Sequence, residues 1–276
     1  MPSEQKLNIL VAYPYMTPPV QKILMENQGH IRFVLDSGAF TAWKAGKTIA
    51  LDDYCRFIES LPFAPWRYFT LDVIGDPHAS MQNYETMLKR GFKPVPIFTR
   101  GEDPSVLDDY YKTSDVVGIG GLVGTGGNKG FVNWIMRSVG KRQVHWLGFT
   151  NIDYLKHYRP YMCDSSTWEA GARYGVLKVY AGGGKFISIK KADFKRKPSQ
   201  AVLSAITRLG FKPLDLATME NWHGGPSISR TLCAASAVAM SLDIEQNIGT
   251  KAFLAVAATE GLGMLVNQFF KQIRQG

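Results

Sequence analysis

In VLDSGAFTAW, Val34 to Trp43, an apolar run stops at an acid and passes directly into Ser-Gly-Ala-Phe. The preceding residues, RFVLDS at 32–37, are nearly continuous in apolar character. That is the pattern of a strand buried on both faces, as in a parallel sheet, and not of a strand with one wet side. A carboxylate at the end of such a strand is costly to desolvate unless something pairs with it or uses it. The glycine beside it allows a ligand to come close.

The same grammar recurs along the chain. Candidate strands are NILVAY (8–13), YFTLDVI (68–74), KPVPIFT (93–99), DVVGIGG (115–121), VHWLGF (144–149) and YMCDS (161–165). Helical patterns lie between them. Thr17 and Pro18 form one start signal, Asp76 and Pro77 another with Gly91 as its stop, and EDPSVLDDYYK repeats the opening. Successive strand-then-helix units predict an α/β fold, a (β/α)8 TIM-like barrel, over a doubly wound sheet. GVLKVYAGGGKFISIKK reads as a β-hairpin turning at Gly182, Gly183 and Gly184. With that hairpin taken as an insertion (175–197), FKPLDLA (211–217) is the preferred closing strand. SISRTLCAASAVAMSLDIEQ and KAFLAVAATEGLGMLVNQFFKQIRQ then read as helices. The expectation is one domain over 1–276, with a mainly helical C-terminal part at 198–276.

The chain has 276 residues, 45% of them hydrophobic, enough for a sizeable core. It has no apolar run of about eighteen residues, so no membrane-spanning helix is expected. Its N-terminus lacks a signal-peptide pattern. A soluble cytoplasmic protein is expected, in the host cytoplasm if the source is viral. Cys55, Cys163 and Cys233 are far apart and suggest neither disulfides nor a zinc site. No metal or cofactor is expected. The net charge of +9 is concentrated at Lys178, Lys185, Lys190, Lys191, Lys195, Arg196 and Lys197, against Asp193 alone. Such clustering favours a polyanion, and nucleic acid in particular, over a merely solvated face.

Asp36, Asp72 and Asp164 each stand at the end of a proposed strand. One strand-end aspartate is commonly a turn former. Three meeting at one barrel mouth can supply a nucleophile and a general acid/base for glycosidic chemistry. VGIGGLVGTGGNKG is not a phosphate-binding P-loop, because Gly130 follows Lys129. Its glycines fit close approach to a flat ligand as well as they fit a tight turn. Phe40, Trp43, Trp146 and Phe149 are aromatics near strand ends that could stack on a base, or pack in the core. His145 and His157 read as structural or surface residues, and His78 as a weak candidate near the mouth. Cys163 alternates away from the pocket.

Taken in order, these segments resemble the tRNA-guanine transglycosylase superfamily. DSGAF is similar to its Asp-Ser-Gly-Gly-aromatic motif, and LDVIGDP to its base-recognising acidic strand. GIGGLVG is similar to its Gly-Gly-Leu motif, and MCDSSTW to its nucleophile strand. The resemblance runs from Asp36 to about Trp168. It implies Asp164 as nucleophile on the sugar C1′ and Asp36 as general acid/base. It implies Ser37, Asp72, Gly120, Gly121 and Leu122 as holders of the heterocycle's edge, with Phe40 and Leu147 on its two faces.

The chain departs from the tRNA-acting members in lacking their Cys-rich zinc module, whose place is taken by the Lys-rich hairpin. Ala39 replaces the usual second glycine, and Thr99 or Arg100 stands where that family has a glutamine. In this it looks more like the compact, zinc-free branch found with phages and DNA-modification clusters. That resemblance implies exchange of guanine in DNA for a 7-deazaguanine such as preQ0, on a flipped nucleotide. The hairpin residues Lys185, Lys190, Lys191, Lys195, Arg196 and Lys197, with Arg67, Arg100 and Lys129, would grip phosphates. The rival readings are a tRNA-acting enzyme, a glycoside hydrolase or nucleosidase on the same barrel, and a non-catalytic nucleic-acid-binding subunit. The oligomeric state stays open, a homodimer being one arrangement.

Overall fold

Every residue of the strand Leu7–Ala12 (β1) is buried in the computed structural model, which describes residues 5–122, 129–169, 175–192, 198–218, 220–222 and 227–274. A strand with no wet face must be covered on both sides. Ile31–Asp36 (β2), Arg67–Tyr68 (β3), Ile97–Phe98 (β4), Val116–Ile119 (β5), Gln143–Trp146 (β6) and Met162–Ser165 (β7) follow in the places the apolar runs predict. Val176–Gly182 (β8) and Lys185–Lys190 (β9) pair separately, and Lys251–Val256 (β10) returns to the main sheet. The main sheet has eight strands in the order β3-β2-β1-β10-β7-β6-β5-β4, and every ladder in it is parallel.

The sheet is curled. Val34 of β2, Val95 and Ile97 at β4, Met162 of β7 and Phe253 of β10 share one buried cluster with Leu10, Phe69 and Val116. Residues from both ends and the middle of the sheet touch only if the sheet rolls round them. The two end strands are linked at one parallel bridge, Phe69 to Val95. There the Thr70 N–H donates to the Val95 carbonyl at 3.0 Å, and the Val95 N–H to the Tyr68 carbonyl at 2.8 Å.

The alternate residues face outward into a larger core shared with the helices. The helices are Pro18–Glu26 (α1), Ala39–Lys44 (α2), Leu51–Ser60 (α3), Pro77–Lys89 (α4), Val106–Thr113 (α5), Lys129–Val139 (α6), Ile152–Tyr158 (α7), Gln200–Arg208 (α8), Ile228–Ile248 (α9) and Thr259–Ile273 (α10). Thr17 precedes α1 with Pro18 in its first turn, though its side chain makes no cap bond. Asp76 does cap α4, accepting the Ala79 N–H at 2.9 Å, and Gly91 beyond it has φ of 87°. None of the described helices is long and apolar enough to cross a membrane.

The expected closing strand is corrected. Within 211–217 the chain forms a 3-10 turn, Pro213–Ala217, opened by a proline that cannot donate to a ladder. The eighth strand is KAFLAV (β10), in a stretch that reads as helix from its apolar run. It fits between β1 and β7, with Leu254 opposite Ile9 and Phe253 opposite Asp164. Gly249, at φ of 85°, ends α9 and frees the chain to enter it.

The hairpin reading holds: β8 and β9 are antiparallel and turn through Gly182, Gly183 and Gly184, all at positive φ. Leu177, Val179 and Ile189 bury one hairpin face in a second cluster with Ile206 of α8 and Leu232 of α9. Lys178, Lys185 and Lys190 stay exposed.

At the N-terminal ends of the strands, Arg32 donates to Asn8 Oδ1 at 2.6 Å and to Glu245 Oε1 at 2.9 Å, tying β1 and β2 to α9. A cavity of about 440 Å³ lies at this end, lined by Lys6, Arg32, Phe63 and Trp66 among others. It is opposite the strand ends that carry Asp36 and Asp164.

Phe253 is fully buried, stacked on Trp66 at 6.0 Å, and it anchors β10 inside the curl. Phe253→Ala should lower unfolding stability by about 3–5 kcal/mol, measured by urea denaturation. In the same protein, amide exchange should be slow at 252–256 and fast at 213–217.

Candidate active site

Strand alternation decides which side chains enter the curl. Asp36 lies two residues beyond Val34, and Asp164 two beyond Met162; both of those apolar residues belong to the inner cluster. Leu147 follows His145 at the same spacing and packs on that cluster. Gly120 follows Gly118. The cluster is the floor, and these residues sit above it at the C-terminal ends of β2, β5, β6 and β7.

Asp36 is half-buried, and its Oδ2 accepts the Gly38 N–H at 3.0 Å. Burial pushes its carboxyl up to about 6; the Gly38 bond opposes this, and the charges of Asp164 and Asp72 add to it. Two other strand-end acids act on this one carboxyl, so the three lie near one another at the same end of the sheet. Gly38 has φ of 76°, and a side chain there would collide with Pro14 Cδ. The DSG turn therefore requires glycine at that position. Ser37 is buried beside it.

Asp72 accepts the Ser80 hydroxyl at 2.7 Å, while Ser80 Oγ accepts the Val73 N–H at 2.8 Å. Burial raises its carboxyl, with the Ser80 bond opposing. A fourth acid, Glu102, joins this side. Its Oε2 accepts the Thr99 N–H, and burial, with a smaller contribution from Asp72, raises its carboxyl. Sequence reasoning passed over Glu102; the signal was an acid four residues beyond Phe98, the end of β4.

Asp164 is held differently. His145 Nε2 lies 2.8 Å from its Oδ1, and the Gly148 N–H donates to the same oxygen at 2.9 Å. Among the described residues, Oδ2 accepts nothing. His145 is fully buried, and among the described residues its Nδ1 has no hydrogen-bond partner. A proton on Nδ1 would be a buried donor left unmet, at a cost of about 1–3 kcal/mol. A neutral ring donating from Nε2 avoids that cost. The sequence reading of His145 as merely structural missed this bond, which joins neighbouring strands.

Gly120 donates to the Phe98 carbonyl at 2.8 Å, and Gly121 at φ of 72° turns beside Arg100. The Leu122 side chain is buried in the outer core and does not line the mouth. Phe40 is 43% exposed and stacks on Trp43 at 5.9 Å, with Lys44 Nζ 4.3 Å from its ring centre. This rim offers a cationic aromatic platform.

Other sequence candidates are placed elsewhere. Trp146 and Phe149 are buried in the outer core and are not stacking surfaces of the mouth. Arg67 pairs with Asp115 through two bonds of 2.8 Å at the start of β3 and β5, the far end of the curl. That corrects its assignment to phosphate binding. His78 and His157 are exposed on α4 and α7, and Cys163 faces the outer core as expected. The hairpin turn lies against α7: Lys156 Nζ donates to the Gly183 carbonyl at 3.2 Å, and Gly184 abuts Ile152. Ile152 begins the helix that follows β6, so the turn is on the mouth side. Lys185, Lys190 and Lys191 are on this hairpin and outside the carboxylate mouth; Lys195, Arg196 and Lys197 lie outside the described residues. Among the described residues, no cluster of His, Cys, Asp and Glu is suited to hold a metal ion. No protein-family model matches the chain, and no curated protein matches it significantly.

Because folding raises the Asp36 carboxyl above its ordinary 3.8 to about 6, the native state takes up a proton that the unfolded chain does not hold between those pH values. This contribution is intact below about pH 4 and is lost as pH rises through 6. Full burial would make it about 3 kcal/mol; water at the mouth reduces it to about 2 kcal/mol. Asp36→Asn keeps the acceptor for Gly38 and removes the charge. It should be more stable than wild type by about 2 kcal/mol at pH 8, with the difference disappearing near pH 4, read from denaturation curves.

Proposed function

We propose that this chain is a base-exchanging transglycosylase, of the kind its motifs resemble, that replaces guanine in DNA with a 7-deazaguanine. We take the curled sheet to be a closed (β/α)8 barrel completed at the Phe69–Val95 bridge. The observation that carries the reading is the division of labour between two strand-end acids. Asp36 is pushed up to about 6, and its neighbour Asp164 is fixed by two hydrogen bonds on one oxygen. One carboxyl raised by burial beside another held in a fixed orientation suits the roles of acid/base and nucleophile.

The target nucleotide swings out of the duplex to enter the mouth. Asp164 attacks C1′, and the C1′–N9 bond breaks with its electron pair going to the leaving guanine. Protonated Asp36 supplies the proton that neutralises that base. At pH 7 roughly a tenth of Asp36 is protonated, a workable reservoir for proton transfer. The 7-deazaguanine then takes the vacated place. Its N9 proton passes to Asp36, N9 bonds to C1′, and the ester to Asp164 is broken. Proton and bond counts balance, and the energy of the glycosidic bond is held in the ester. Asp72, Ser37 and the Gly120–Gly121 backbone offer polar groups for the heterocycle's edge, and Leu147 and Phe40 offer apolar faces. DNA is favoured over tRNA by the basic hairpin, whose turn packs against α7 on the mouth side and which stands in the sequence where the tRNA-acting enzymes it resembles carry a zinc module. Its lysines meet phosphates without reading sequence.

Incubation with labelled guanine and either duplex DNA or tRNA tests the assignment. Label should enter DNA, and Asp164→Ala should abolish uptake while leaving DNA binding intact. Uptake by that variant removes Asp164 as nucleophile, uptake into tRNA alone overturns the DNA reading, and release of free base without uptake indicates a hydrolase.

Replacing Lys185, Lys190 and Lys191 with alanine should weaken DNA binding and reduce the slope of log K against log salt by about 2–3. An unchanged slope takes the hairpin out of the interface.

A further inference from the structure

We infer that His145 is a positioning residue that holds Asp164 by one oxygen and leaves the other free to react. The inference rests on the reading of Asp164 as nucleophile. Both hydrogen bonds to Asp164 fall on Oδ1, from His145 Nε2 at 2.8 Å and from the Gly148 N–H at 2.9 Å. Two donors on one oxygen fix the plane of the carboxylate and lower the basicity of that oxygen. Oδ2, without a partner among the described residues, is the atom left to bond C1′.

The surroundings form a slot for the imidazole. His145 pairs with Gly118 on one side and Met162 on the other. At Gly118 the missing side chain leaves room for the Phe69 ring, whose Cε1 would lie 3.1 Å from a Cβ built there. Phe69 in turn meets the His145 ring edge-on at 4.9 Å, and Phe253 lies at 6.3 Å. The ring is fully buried among these groups, and among the described residues Nδ1 has no hydrogen-bond partner. An imidazolium would carry an unmet N–H into this apolar slot, and the Nδ1–H tautomer would both leave that donor unmet and set two acceptors against each other at Nε2. Only the neutral Nε2–H form satisfies the geometry. His145 is thus a fixed donor and takes no part in proton transfer. That separates its role from Asp36, which carries the proton traffic on the other side of the mouth.

Two measurements test this. In uniformly ¹⁵N-labelled wild-type protein, long-range ¹H–¹⁵N spectra should show His145 neutral with its proton on Nε2 at pH 7, and that resonance should move in Asp164→Ala. A proton on Nδ1, or on both nitrogens, overturns the inference. The second is the rate of sugar–protein adduct formation with a guanine-containing duplex oligonucleotide. His145→Phe fills the slot without donating, and should slow the adduct about 100-fold while the KM for DNA stays within about twofold. His145→Gln, whose amide N–H reaches the same place, should recover to within about tenfold of wild type. Equal rates for the Phe and Gln variants also overturn it. If wild type forms no adduct with DNA or RNA, the transglycosylase reading has failed. The ring spectrum then decides by itself whether His145 holds Asp164.

Discussion

Carboxylates gathered at the mouth of an apolar curl repel one another, and the site depends on how that repulsion is managed. Asp36, Asp72 and Glu102 are each raised by burial, and each retains a local donor: the Gly38 N–H, the Ser80 hydroxyl and the Thr99 N–H respectively. Asp164 has two donors on a single oxygen. Each acid is therefore bonded at its own strand end, and among the described residues none of them pairs with a lysine or arginine. An arginine bonded directly to Asp36 would return its carboxyl toward the ordinary value. Leaving the acids unpaired keeps one carboxyl near neutrality and another fixed in orientation, a combination suited to glycosidic exchange.

The fold supplies this at a modest cost because the strain is confined to strand ends. Below the mouth the inner cluster of apolar side chains runs from Leu10 to Phe253, with the His145 ring buried against it. At the far end the charged groups are paired, with Arg32 on Glu245 and Arg67 on Asp115. The packed apolar and paired groups lie in the floor and base and the raised carboxyls at the rim, the division expected where strand C-termini face a ligand. The hairpin adds a second small core with α8 and α9, so its exposed lysines stand on a packed support and not on a loose loop.

Much of this was legible in the sequence, for local reasons. The seven earlier strands announce themselves as apolar runs, five of them reaching glycine or aspartate at or near their ends, and Asp76 and Gly91 bracket a helix by chemistry confined to a few residues. The DSG turn at Gly38 and the three-glycine hairpin turn were legible in the same way, because positive φ selects glycine. What was hidden was nonlocal. KAFLAV has the apolar content of either a strand or a buried helix, and only pairing with β1 and β7 decides between them. Its upstream Gly249 was the available clue. His145 and Asp164 are brought together by neighbouring strands, a register no local pattern prints. Arg67 was misplaced for a simpler reason: it begins its strand, so it belongs to the end of the curl opposite the acids.

The central claim is that Asp164, and no other acid of the mouth, becomes bonded to the sugar. Mixing the protein with a guanine-containing duplex oligonucleotide without any incoming base, quenching in acid, and mapping the adduct by peptide mass spectrometry tests it directly. The account predicts the sugar on the peptide containing Asp164, attached through its side chain. An adduct on Asp36, Asp72 or Glu102, or base release with no adduct at all, would contradict it.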